Sequence, residues 1–531
     1  MTHLITEISK YLIIFLLMIY TYYSFSVLVV KEEGRQRRVL RRQMTCIFLL
    51  HLLAFFVMFF SQQEIRYLVF YLGQLALLIF LFILYRLVYR RAAPLLVNHM
   101  CMLMVIGFII LTRLDFDTAI RQFEIAVIAS VVTIFIPLLV ERLRFLRKFT
   151  WVYAVVGIVA LAAVLGFGQI TGGANIMFTI GGITLQPSEF VKIIFVFFVA
   201  CMLYKSTNFR QVCVTTIVAA IHILILVFST DLGAALIFFI TYVIMLFVAT
   251  RRPAYLAAGL GVGVVAAFAA TRLFSHVRVR VQAWRDPFGT IEGGGWQVAQ
   301  SLFAIGTGGW FGLGLFQGLP NNIPVASSDF VFAAITEEMG ILFGICIVLV
   351  FFSCVMMFLN VAMQIRDQFY RLIALGLGCV IGIQVFLNIG GVIKLIPSTG
   401  VTLPLISSGG SSIFCTIIMF AIIQGLYLYR QDEGETDEQR QVQQQAKPNR
   451  APRGSAERTD DVEPEWDDEA DWGDELEWDD GPKRDDEPEW GDESEWDDEL
   501  DWKPDPDAFD EPDRPDESEP DDWDDDPGEI W

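Results

Sequence analysis

The sequence has little with which to staple an exported domain. Its eight cysteines, Cys46, Cys101, Cys201, Cys213, Cys346, Cys354, Cys379 and Cys415, all fall inside apolar runs. They read as core residues, which excludes an extracellular disulfide framework. Charge is also sparse: 19% of the residues are charged against 54% hydrophobic, with a mean hydropathy of +0.50. Repeated apolar runs in such a composition indicate a polytopic membrane protein. A cleavable signal peptide is not expected. The first apolar run, about 11–30, is too long for a signal core and lacks a small-residue cleavage site, so it reads as a first span. Positive charge is nearly missing from every second loop, and residues 431–531 lack apolar periodicity altogether.

The net charge of −21 conceals two opposite regions. Residues 431–531 hold 44 acidic and 9 basic side chains, leaving 16 acidic and 30 basic ones in 1–430. At roughly 20 apolar residues per crossing, thirteen candidate spans follow, near 11–30, 45–60, 68–88, 95–112, 123–140, 151–168, 189–204, 212–228, 232–249, 254–271, 330–358, 372–395 and 411–430. The basic loops Lys31–Arg42, Arg86–Arg91, Arg142–Lys148, Lys205–Arg210, Arg251–Arg252 and Arg366–Arg371 alternate with loops almost free of Lys and Arg. Because basic loops stay in the cytoplasm, the N-terminus is expected outside and the acidic tail inside. Arg272, Arg278, Arg280 and Arg285 break this rule on one outer loop. They either rest on lipid headgroups or form a cationic site for an anionic substrate.

That loop, about 272–329, is the densest stretch of candidate chemistry. Read as long and structureless, it fits a functional segment. It is Gly-rich, and a lone acid, Asp329, stands where a hydrophobic helix is expected to begin at Phe330, with Glu337 and Glu338 two turns further on. A carboxylate at a membrane helix is costly and marks a functional candidate. Asp329 could equally be a plain N-terminal helix acid. Gln300 and Ser301 offer neutral hydrogen bonds suited to sugar hydroxyls, and Trp284, Trp296 and Trp310 offer sugar-stacking faces or interfacial anchors.

Three further motifs carry polar groups into the apolar region. Leu185-Gln-Pro-Ser-Glu-Phe-Val-Lys192 opens a span, with Pro187 suited to its first turn and Glu189 and Lys192 spaced to neutralise each other. That pair either only seats the helix or meets substrate. Ser229-Thr-Asp-Leu-Gly-Ala-Ala235 parts two nearly fused spans, with Asp231 as a cap and Gly233 for close packing. Gln384-Val-Phe-Leu-Asn-Ile-Gly-Gly391 leads to Lys394, then to Pro397-Ser-Thr-Gly-Val-Thr-Leu-Pro404 and Ser407-Ser-Gly-Gly-Ser-Ser412. A broken polar segment at membrane depth must line a cavity or lie buried in protein. The serines are expected to cap the final span. Lys394 either snorkels to headgroups or contacts a diphosphate.

In order and spacing over about 95–430, these four stretches resemble the SEDS proteins, the FtsW/RodA/SpoVE group. The resemblance implies an all-α polytopic fold with ten helices over 95–430. Residues 1–94 then add about three N-terminal spans, and 431–531 form a disordered tail. Two places depart from the group's pattern: Met177 stands where a Trp is usual, and Thr230 where a Pro precedes the acid. The implied activity is a peptidoglycan glycosyltransferase polymerising lipid II at the outer face of the bacterial cytoplasmic membrane, with a class B penicillin-binding transpeptidase and other cell-wall proteins as partners. In such an enzyme Asp329 would be the base and Arg278, Arg280 and Lys394 the diphosphate contacts. Gln300, Ser301, Glu189, Lys192, Glu337, Ser407 and Ser408 would bind substrate. A divalent cation, Mg or Mn, could share the diphosphate, although no ligand cluster is evident. The alternatives are a lipid-linked precursor flippase, which also uses charges at membrane depth and broken helices, and a scaffold without activity.

Eight of the twelve Trp lie in the acidic tail, six of them, Trp466, Trp472, Trp478, Trp490, Trp496 and Trp502, on a six-residue period. Such an array suits either a solvating tail or a docking arm for a basic cytoplasmic partner. Its charge excludes nucleic acid as a partner and makes anionic membrane a repulsive one.

Overall fold

A computed structural model describes residues 2–142, 144–171, 174–180 and 183–445. The Trp-rich part of the tail lies outside the described residues. Three N-terminal helices, α1 (Thr2–Val29), α2 (Glu33–Gln62) and α3 (Ile65–Leu87), precede α4 (Pro94–Leu114). The membrane-length window of α4 is entirely buried. Next come α5 (Phe116–Val132) and α6 (Ile136–Arg142), joined by one tight turn, and α7 (Thr150–Phe167). Strands β1 (Gln169–Thr171), β2 (Ala174–Ile180) and β3 (Ile183–Leu185) then pair as an antiparallel meander. This small sheet is a local addition to a fold that is otherwise helical among the described residues.

The chain continues as α8 (Pro187–Leu203), α9 (Phe209–Phe228), α10 (Leu232–Thr250) and α11 (Pro253–Leu273). The loop that follows is not structureless: it folds into α12 (Ser275–Arg285) and α13 (Trp296–Gly308). Three long helices close the fold, α14 (Val331–Gln364), α15 (Gln368–Val392) and α16 (Gly410–Gln445). α16 runs well past Arg430, where the sequence pattern had suggested an end.

Twelve segments among the described residues are long and apolar enough to cross a membrane. The thirteenth expected span is α8, which has 17 residues and carries Glu189 and Lys192 in its first turns. A 17-residue helix rises about 26 Å, a little under the hydrocarbon thickness. α8 is buried along most of its length, so protein rather than lipid surrounds it.

The N-terminal helices are held to α4 and α14 by hydrogen bonds inside the apolar interior. Gln43 Nε2 on α2 donates to Ser24 Oγ at 2.8 Å, and Asn98 Nδ2 on α4 donates to Gln43 Oε1 at 2.7 Å. Tyr20 OH and Ser353 Oγ flank the His99 ring at 2.9 and 3.0 Å, tying α1 through α4 to α14. Buried polar groups of this kind are costly unless paired, so these contacts specify how the helices dock. At the start of α4, Gln424 on α16 accepts from Ala93 N at 2.9 Å and donates to Ala93 O at 3.0 Å.

α14 is one long helix with a break. Gly340, at φ 85° and ψ 166°, interrupts it, and the turn after α13 inserts its backbone there. Leu313 N donates to Glu337 O at 3.0 Å and Gly314 N to Glu338 O at 2.7 Å, while Ile341 N donates to Gly309 O at 2.9 Å. A Cβ on Gly340 would stand 2.5 Å from Gly312 N. Only glycine fits that backbone angle and that approach.

Candidate functional site

The irregular segment 393–409 between α15 and α16 forms a platform. Its prolines and Gly400, at φ 73°, prevent a helix, so its carbonyls need side-chain partners. Gln384 and Asn388, one turn apart on α15, supply them. Asn388 Nδ2 donates to Val401 O at 2.6 Å and to Asp329 O at 3.0 Å. Gln384 Nε2 donates to Thr402 O at 3.0 Å.

The same platform grips the residues ahead of α14. Ser407 Oγ accepts from Leu403 N at 2.8 Å and donates to Ser328 O at 2.5 Å. Ser408 N donates to Ser327 O at 2.7 Å. These two serines therefore clamp 327–328 rather than cap the final span as expected.

α12 lies against the platform. Trp284 Nε1 donates to Lys394 O at 3.1 Å and Arg280 Nη1 to Ser398 O at 3.4 Å. The two elements meet at Gly400. A Cβ added there would lie 3.5 Å from Asp329 Oδ2 and 3.5 Å from Arg280 Nη2. The bare glycine leaves carboxylate and guanidinium facing one space.

Asp329 is half-buried, and the cap residue of α14 is Phe330, with no side-chain cap bond. The carboxylate therefore lies outside the helix and does not cap it. Burial pushes its pKa above the usual carboxylate value, against the opposing Arg280 charge and a hydrogen bond from Ser328. A carboxylate with a raised pKa is a stronger proton acceptor when ionised. The neighbouring guanidinium suits a phosphate oxygen.

Behind the platform is a second polar group. Lys192 Nζ donates to Glu189 Oε1 and to Gln384 Oε1, both at 2.8 Å. Ser188 Oγ donates to Asp231 Oδ2 at 3.3 Å, and Asp231 caps α10 by accepting from Ala234 N at 3.0 Å. Gln384 thus links this buried pair to Thr402 and the platform. Gly233 packs close to the platform, since its Cβ would meet Thr399 O at 2.9 Å.

The other expected residues are placed differently. Arg278 is exposed and donates from Nη2 to Arg272 O at 3.1 Å, back along its own segment. Ser301 is fully buried and donates to Val298 O at 2.8 Å and Val392 O at 3.2 Å. It pins α13 to α15 and does not present its hydroxyl to a ligand, and its neighbour Gln300 is half-buried on the same helix. Glu337 accepts from Leu319 N at 2.9 Å. Its neighbour Glu338 pairs with Arg113 at 2.8 Å, and Arg113 also donates to Gly318 O at 3.1 Å. Glu337 thus belongs to the anchor of the inserted turn.

The candidate residues read from sequence omitted Asn388, Gln384 and Arg113. The first two stand at i and i+4 within a quoted motif, on one helix face. Arg113 is a lone cation at the end of an apolar span. Among the described residues no three His, Cys, Asp or Glu side chains converge. A divalent cation at Gly400 would find the one Asp329 carboxylate beside a guanidinium, a poor match to the oxygen shell of Mg or Mn.

These features define a class: a polytopic helical membrane protein whose broken-helix segment carries a carboxylate and a guanidinium near a loop of short helices. The family model described as "Cell cycle protein", FtsW/RodA/SpoVE, matches residues 93–432, leaving α1–α3 outside the match. The chain belongs to the FtsW/RodA/SpoVE family. It is 38% identical over 267 residues to the peptidoglycan glycosyltransferase RodA of Mycobacterium tuberculosis, covering 47% of this chain and 57% of that relative. To the peptidoglycan glycosyltransferase RodA of Mycobacterium leprae it is 32% identical over 357 residues, covering 62% of this chain and 76% of that relative. The chain thus spans little more than half the length of the first of these relatives. A chain from a structure of a peptidoglycan synthase complex, described for its coordination of polymerization and crosslinking, aligns with a TM-score of 0.55. At 23% identity over 64% of this chain and 98% of that one, it shows the shared fold.

Proposed function

We propose that this chain is a peptidoglycan glycosyltransferase that polymerises lipid II into β-1,4 glycan strands. The observation that carries the proposal is the convergence of Asp329 and Arg280 at Gly400. The GlcNAc 4-hydroxyl of one lipid-linked disaccharide attacks the anomeric carbon of the MurNAc in the other. The new C–O bond forms as the bond to undecaprenyl diphosphate breaks, and Asp329 takes the hydroxyl proton. Arg280 stabilises the charge on the departing diphosphate. Lys394 and Arg278 are assigned to its outer oxygens, and Gln300 to the sugars. The buried Glu189–Lys192 pair and the Ser407–Ser408 clamp hold the platform in place. The names of the mycobacterial relatives support this reading.

We assign 393–409 and α12 to the outer face of the cytoplasmic membrane, with the N-terminus outside and the acidic tail inside, a reading that the alternation of basic loops supports. A cysteine introduced at Ser455 should resist an impermeant label added from outside. Labelling there would overturn this orientation. The crosslinking partner is assigned as a class B penicillin-binding transpeptidase, alongside other cell-wall proteins. The tail is assigned as a docking arm for a basic cytoplasmic partner. Its removal should alter localisation and leave polymerisation by the purified protein intact.

The test is purified protein mixed with lipid II, with and without such a transpeptidase. Glycan polymer on a gel is expected. Translocation of labelled lipid without polymer would contradict the proposal and favour a flippase.

A further inference from the structure

At the end of the molecule that carries the basic loops, the start of α7 and the α8–α9 connection border an open cavity of about 560 Å³. Four cations from two separate stretches line it: Arg147, Lys148, Lys205 and Arg210. No carboxylate is among its lining residues. Arg147 is already paired with Asp367 and stacked near the Phe369 and Tyr370 rings. Among the described residues no acid pairs with Lys148, Lys205 or Arg210, so three cations face the cavity without a counter-charge.

Two further features fix the kind of anion that suits it. The helices α7 and α9 both begin at its edge, and neither has a side-chain cap bond. Their positive ends therefore add to the field at the cavity. Trp151 at its rim is 59% exposed, and Val152, Val155 and Val159 continue from it as an exposed apolar strip along α7. An indole at a charged rim above an apolar strip matches a membrane interface. The ligand thus needs anionic oxygens at one end and hydrocarbon at the other.

We propose that this cavity binds the phosphodiester headgroup of an anionic phospholipid, with the acyl chains lying along α7. The positive-inside pattern alone places cations on this face but does not require cations from two stretches to line one cleft. Basic pockets between membrane helices on the cytoplasmic side are a recurrent form of headgroup site.

The test uses the full-length protein purified in a neutral detergent. Its melting temperature is followed with added phosphatidylglycerol, phosphatidylcholine or inorganic phosphate. Phosphatidylglycerol should raise it by several degrees, and the other two should not. The triple variant Lys148→Ala, Lys205→Ala, Arg210→Ala should melt as wild type without lipid and lose most of the phosphatidylglycerol shift. A control variant, Arg35→Ala, Arg37→Ala, Arg38→Ala on another basic loop, should keep it. An equal shift with phosphatidylcholine or free phosphate would overturn the proposal, as would a full shift in the triple variant or an equal loss in the control. If the triple variant fails to fold, Lys205→Gln alone is compared by native mass spectrometry. Unchanged retention of phosphatidylglycerol in that variant would likewise overturn the proposal.

Discussion

Arg280 and Asp329 reach the same glycine from different elements, one on α12 and the other just ahead of α14. Arg280 Nη2 and Asp329 Oδ2 each lie 3.5 Å from the position a Gly400 side chain would take. Neither residue is held there by the other alone. Trp284 seats α12 on the platform, while Asn388 and the Ser407–Ser408 clamp seat Asp329.

This relationship gives a pH dependence. Burial raises the pKa of Asp329, and Arg280 opposes the rise. A base works only when ionised, so the rate should fall as pH drops through that raised pKa. Arg280→Ala removes the opposing charge and lets the pKa rise further. The acidic limb of the pH–rate profile should therefore move to higher pH, with weaker use of lipid II. Arg278→Ala, which lacks that neighbour, should leave the limb in place. An unchanged limb in Arg280→Ala would separate the two residues functionally.

The buried Glu189–Lys192 pair is predicted to seat α8 on the platform and not to touch substrate. Lys192→Met strands the Glu189 carboxylate, and breaking a buried pair typically costs about 3–5 kcal/mol. Folded yield should drop sharply. The double variant Glu189→Leu, Lys192→Leu removes both charges and should recover folding, with polymerisation within a few-fold of wild type. A stable but inactive double variant would instead put the pair in contact with substrate.

Gly340→Ala should be far more damaging than its size suggests. The φ of 85° is strained for any side chain, at about 1–3 kcal/mol, and the new Cβ would collide with Gly312 N. Thermal unfolding in detergent should show the loss. Polymerisation should fall further than stability does, because Gly340 seats the turn that follows α13. A variant with wild-type melting and activity would show that the break in α14 is dispensable.

The N-terminal helices should depend on their buried polar contacts. Gln43 is fully buried and bonded to both Ser24 and Asn98. Gln43→Leu leaves the Asn98 amide short of an acceptor, costing about 1–3 kcal/mol. Adding Ser24→Ala and Asn98→Leu should restore much of that loss. Denaturation of the three proteins in one detergent measures it, and additive losses would contradict the network.

Much of this was legible in the sequence. Long apolar runs located the membrane helices, because hydrocarbon thickness sets their length. The i, i+3 spacing of Glu189 and Lys192 and the cap at Asp231 are local features that sequence carries directly. Asp329 stood out as a lone acid at the edge of an apolar helix. The choice of Arg280 over Arg278 was not legible, since it depends on how α12 lies against 393–409. The break at Gly340 was hidden because hydrophobicity over 330–358 says nothing about φ. The meander of β1–β3 and the helices α12 and α13 were read as plain loop, being too short for a clear period. Ser301 was misjudged because burial, and not residue type, decides what a hydroxyl meets.

The central claim rests on Asp329 as the proton acceptor, and Asp329→Asn tests it with the least change of shape. Asp329 stands ahead of the N-cap residue Phe330, and a charge at a helix end is worth only about 0.3–1 kcal/mol, too little to account for a large effect. Glu337→Gln, in the anchor of the inserted turn, serves as the comparison and should lose less. The measurement is the rate of glycan polymer formation from lipid II by purified protein, at equal expression and equal transpeptidase binding. General-base assistance is worth about 10²–10⁴-fold, so Asp329→Asn should polymerise at least about 10²-fold more slowly. Near-normal polymerisation by that variant would contradict the account and leave the site without its base.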